Sequence, residues 1–91
     1  MGSPRPRPKR LAEKLLQIRQ RLGISQGQLV NLLGVQEQIH YSNISKYELD
    51  KNEPPLGILL AYARNAGIPV EVIIDDELEL NLSSHMFLKN N

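Results

Sequence analysis

Residues 25–48 read SQGQLVNLLGVQEQIHYSNISKYE, and this stretch decides the architecture. Its first half predicts a short helix over Ser25–Leu33. Ser25 can cap the first turn, and Gln28 follows at the spacing of a reciprocal capping box. Leu29, Leu32 and Leu33 recur at helical intervals and are expected to share one buried face. Gly34 ends the helix, because the residue past a helix terminus often takes a positive φ that glycine adopts without steric cost. A second helix is predicted over Tyr41–Leu49. Ile44 and Glu48 lie one turn apart and point inward together, while Ser42, Asn43, Ser45 and Lys46 fall on the other side. Periodicity leaves two readings open: an ordinary all-α core with a polar surface, or a helix pair whose second member presents a contact face.

Working outward, Lys9–Leu22 predicts a preceding helix with Leu11, Leu15, Ile18 and Leu22 as its buried stripe and Gly23 as its stop. Arg19 falls near that stripe, and a buried guanidinium requires a carboxylate partner. Downstream, Leu56–Ala66 predicts a fourth helix with Leu56, Leu59, Leu60 and Ala63 inward, Pro55 at its first position and Gly67 as its stop. Pro69 restarts the chain, and Val70–Ile74 is a short fifth helix. Residues 77–82 alternate polar and apolar, which reads either as a strand paired with its copy in a dimer or as an irregular tail whose leucines cover the bundle. Prolines at 4, 6 and 8 keep a helix from starting before Lys9. The expected organisation is a basic arm over 1–8, a helical domain over 9–75 and an acidic, apolar tail over 76–91.

A chain of 91 residues is expected to form one domain with a small core. Cysteine is absent, which removes disulfides and thiolate zinc sites and suits a reducing cytoplasm. No run approaches the ~20 apolar residues of a membrane span, and the N-terminus has no apolar signal region. His40, just before the second helix of the pair, is expected to be a polar surface residue or weak cap rather than a ligand, since no second His or Cys stands nearby. Neither His40 nor His85 belongs to a nucleophile–base set, so no catalytic residue, metal or cofactor is expected.

The ordered set IRQRLGISQGQL, LLGV and ISKYELDKNEPP resembles the lambda-repressor-like (XRE-type) helix-turn-helix family over about Leu11 to Ile74. Arg19, Gly23, Ser25, Gln26, Leu29, Leu33, Gly34, Val35, Ile44, Ser45, Tyr47, Glu48 and Pro54 stand at matching places. The chain departs from the pattern in three ways: the turn QEQIHYSN is longer, Val30 replaces a small alanine, and Asp50 replaces a glycine. The resemblance implies an all-α, five-helix DNA-binding domain. It pairs Arg19 with Glu48 as a structural tie and keeps Tyr47 in the core. It places Gln26 on a DNA phosphate, where a helix N-terminus also attracts an anion. It puts Lys51 and Asn52 on the sugar-phosphate backbone, Tyr41, Ser42 and Lys46 at base edges, and Asn43 and Ser45 near the bases or the backbone. Lysine can donate to guanine and asparagine can pair with adenine.

The function this implies is sequence-specific binding of double-stranded DNA by a cytoplasmic transcriptional regulator, with the end of the fold supplying a homodimer contact as in the relatives. The net charge of +1 hides a basic front, with Arg5, Arg7, Lys9 and Arg10, and an acidic rear, with Glu71, Asp75, Asp76, Glu77 and Glu79. That gradient fits one nucleic-acid face, and equally two solvated tails. The RPRPKR run is read as an arm along phosphates or the minor groove, or as a solubilising tail. A second functional reading is a protein-interaction module of antitoxin type that binds a partner protein through the C-terminal segment.

Overall fold

The computed structural model describes residues 7–82. They form α1 (Leu11–Leu22), α2 (Gln26–Leu33), α3 (Tyr41–Glu48), α4 (Leu56–Ala66) and α5 (Val70–Ile74). Local chemistry sets several of the ends. The Ser25 hydroxyl accepts from the Gln28 amide at 3.0 Å, and Gln28 Oε1 accepts from the Ser25 amide at 2.8 Å. Gly34 closes α2 with φ 72°, the left-handed region that side chains with a Cβ seldom occupy. Pro55 precedes α4 as its cap rather than opening it.

α1 packs against α3, α4 and α5, and α2 packs against α3 and α4. Leu15, Leu29, Ile44, Tyr62, Ala66 and Ile73 meet at the centre with no exposed surface. Ile39, in the long turn before α3, packs back onto this core. Tyr62 is the largest of the fully buried side chains. Among the described residues its hydroxyl finds no hydrogen-bond partner, and burial pushes its pKa upward.

Two expected inward leucines need correction. Leu32 is 46% exposed. The buried face of α2 is Leu29, Val30 and Leu33, and Leu32 sits roughly 100° round the helix from the middle of that arc. Val30, at the alanine position of the pattern, takes the inward place instead. Leu56 is 65% exposed, because the inner stripe of α4 runs through Ile58, Leu59, Tyr62, Ala63 and Ala66, with Leu60 only half-buried. Of the two readings of residues 77–82, the irregular segment whose leucines cover the bundle holds; among the described residues there is no strand. A lone strand would leave its backbone unpaired, and here the segment is fastened to α1 as an irregular strap whose Leu80 and Leu82 pack on the core.

That strap is held by charge. The Asp76 carboxylate accepts from the backbone amides of Lys9 and Arg10 at 2.8 and 2.9 Å, capping the start of α1 from across the fold. Those bonds hold the Asp76 carboxyl below its ordinary pKa. The Arg10 guanidinium bonds Glu79 at 3.1 Å and likewise lowers its pKa. Lys14 is 0% exposed, and its ammonium donates to the carbonyls of Val72, Asp75 and Leu78 at 2.8–2.9 Å. It thereby satisfies acceptors that the short α5 and the following turn leave without helical partners. Burial, followed by the nearby Arg10 charge, lowers the pKa of Lys14.

Candidate nucleic-acid interface

α3 is amphipathic in a way that fixes its outward face. Ile44 and Tyr47 are buried, while Tyr41, Ser42 and Lys46 are exposed. Asn43 and Ser45, on the flank between, are half-buried. The start of α3 is built by the turn that precedes it. His40 Nδ1 accepts from the Ser42 amide at 3.3 Å, and Asn43 Oδ1 accepts from the His40 amide at 2.9 Å. The Asn43 carboxamide oxygen is therefore engaged in capping. The His40 and Tyr41 rings lie with centroids 4.2 Å apart, tilted by 38°.

The far end of α3 is tied to α1 and α2. Arg19 donates through Nε and Nη2 to the two carboxylate oxygens of Glu48 at 2.7 and 3.0 Å, and through Nη1 to the Ile24 carbonyl at 3.0 Å. The side chains are 19% and 6% exposed, so both charges are largely desolvated. The hydrogen bonds to Glu48 raise the pKa of Arg19. Gln26 completes the cluster, donating through Nε2 to Glu48 Oε1 at 3.1 Å. One carboxylate thus joins the end of α1, the first residue of α2 and the last of α3. Gln26 is the first residue of α2, and a helix N-terminus favours an anion.

Beyond α3 the chain turns back. The amides of Lys51 and Asn52 reach the Lys46 carbonyl at 2.8 and 3.4 Å, and both residues are exposed. Asp50 makes this turn with φ 61°, a conformation aspartate tolerates better than most residues. Sequence reasoning did not find its contact: Arg7 Nη1 donates to the carbonyl and to Oδ1 of Asp50 at 2.8 and 2.9 Å. Nothing local in either stretch signals a pairing across so much chain. Arg5 and the tail 83–91, including His85, lie outside the described residues.

Two helices joined by a turn, the second with a polar outer face and an inner face locked to the bundle, form a helix-turn-helix. A family model described as Helix-turn-helix (HTH_3) matches residues 15–73, from α1 through most of α5. The chain belongs to this lambda-repressor-like helix-turn-helix family. No curated protein and no solved structure matches it significantly. Membership makes this helix-turn-helix protein one of a group of DNA-binding transcription regulators, a group that is not typically enzymatic. Among the described residues no three His, Cys, Asp or Glu gather as metal ligands, and no helix is long and apolar enough to cross a membrane.

Proposed function

We propose that this protein binds specific double-stranded DNA sequences as a transcriptional regulator, inserting α3 into the major groove. The observation that carries the reading is the exposure of Ser42 and Lys46 on a helix whose opposite side is buried and clamped by the Arg19–Glu48 pair. A reader must be rigid where it meets the bundle and bare where it meets bases. Lys46 would donate to guanine O6 and N7, Ser42 would accept or donate at either base type, and Tyr41 would touch a thymine methyl. Asn43, with its oxygen in the cap, would contribute its amide hydrogens. Gln26, Ser45, Lys51 and Asn52 would position the helix on phosphates. The exposed Leu49 and Leu56, and the mostly apolar groove lined by Glu53, Pro54, Leu56, Leu59 and Ile74, are the surface a homodimer would cover. Half-sites would then lie about 34 Å apart, one turn of the duplex.

The antitoxin-type alternative draws less support, since Asp76 and Glu79 are engaged with Lys9 and Arg10 in the same chain. Selection of bound sites from a random duplex pool tests the proposal, and should return a consensus. Lys46→Ala should then relax preference at one base pair by ~1–3 kcal/mol. A pool that returns no consensus, or a consensus unchanged by that substitution, refutes the placement of the reader.

A further inference from the structure

The N-terminal basic residues part company in the fold. Lys9 and Arg10 turn toward the C-terminal strap, where their backbone amides meet Asp76 and the Arg10 guanidinium meets Glu79. Arg7 goes the other way, to Asp50, the residue immediately before Lys51 and Asn52. Its guanidinium is held at the loop that folds back on the end of α3, so it stands beside the residues proposed to grip the sugar-phosphate backbone.

We infer that Arg7 is a further phosphate-contacting residue, carried to the rim of the interface by Asp50. The inference rests on the DNA-binding reading above and deepens it. Three features support it. The pair is exposed, with the Arg7 side chain at 37% and that of Asp50 at 57%, so the guanidinium is open to an anion arriving from solvent. Both bonds to Asp50 leave from Nη1, and the planar fork of a guanidinium carries five N–H donors, so a phosphate can be engaged without first dismantling the tether. The tether also restricts a long side chain before DNA arrives, which lowers the ordering cost of the contact. Asp50 reaches Arg7 from a left-handed turn that brings its carbonyl and carboxylate together on one donor.

The experiment compares the full chain with Arg7→Gln, Lys9→Gln and Lys51→Ala on a fluorescein-labelled random-sequence duplex, by anisotropy between 50 and 200 mM salt. Each phosphate contact contributes about 0.9 to the slope of log affinity on log salt. Arg7→Gln should lower the slope by about that amount, so the affinity advantage of the parent chain shrinks about three- to four-fold across the range. Lys9→Gln removes the same charge two residues away while keeping the amide that Asp76 holds, and should leave the slope unchanged. If Arg7→Gln leaves the slope intact while Lys51→Ala lowers it, the Arg7 contact is wrong and the DNA-binding reading stands. Equal losses from Arg7→Gln and Lys9→Gln would mean a diffuse charge effect, which also overturns the inference. A parent chain whose binding is absent or indifferent to salt overturns both.

Discussion

Glu48→Ala removes the carboxylate on which α1, α2 and α3 converge. Arg19 loses both bonds to Glu48 and retains the Ile24 carbonyl, and Gln26 loses its acceptor. Leaving one partner of a buried ion pair uncompensated costs about 3–5 kcal/mol. Arg19 keeps 19% of its side-chain surface in water, so the lower end applies, about 3 kcal/mol. In a domain of this size each kcal/mol moves the midpoint by about 4–8 °C, so Tm should fall by roughly 12–24 °C. Far-UV circular dichroism read against temperature and urea measures this directly. The urea slope should stay constant if the loss lies in the folded state. Arg19→Met combined with Glu48→Leu should recover most of the loss, because an apolar pair of similar size needs no desolvated charge. A single-variant loss below about 1 kcal/mol would place the pair among weak surface bridges and refute the clamp.

Acid should loosen the strap. Asp76 and Glu79 have folded pKa values held below their ordinary 3.8 and 4.5. Their contribution to stability is therefore complete above the ordinary carboxylate range and is lost as pH falls through the depressed folded values. Protection of the Lys9 and Arg10 amides from hydrogen exchange, measured relative to the intrinsic rate at each pH, should fall there, and Asp76→Asn should remove most of that pH dependence. Lys14→Met keeps the bulk but takes the ammonium from the Val72, Asp75 and Leu78 carbonyls, of which Asp75 keeps the Leu78 amide, and should cost about 2–3 kcal/mol in urea denaturation. Tyr62→Phe removes a buried hydroxyl that has no partner among the described residues, so it should be neutral or raise stability by up to about 1 kcal/mol in the same assay.

Much of the architecture was legible in the sequence because its determinants are local. The Ser25–Gln28 box, the stop at Gly34 and the inward Ile44 each depend on residues within a turn or two, so spacing alone reveals them. The outward place of Ser42 and Lys46 follows from the same periodicity. Lys14 was not legible. It sits inside the Leu11–Ile18 stripe, where a lysine ordinarily swings to solvent, and its acceptors are carbonyls from residues 72, 75 and 78, freed only by the end of α5. Leu32 and Leu56 were misplaced for a related reason: helical spacing gives the set of candidate faces, and the neighbouring helices choose among them.

The sequence by itself determined five helices, the Ser25–Gln28 box, the glycine stops and the polar side of α3, because each of these is settled by hydrogen bonds and sterics between near neighbours. Apart from Arg19 and Glu48, which the family resemblance paired, only the tertiary structure decided which charges would meet. Arg7 met Asp50, Arg10 met Glu79, and Lys14 met the turn after α5, since electrostatic pairing depends on separation in space and a linear pattern carries no such distance.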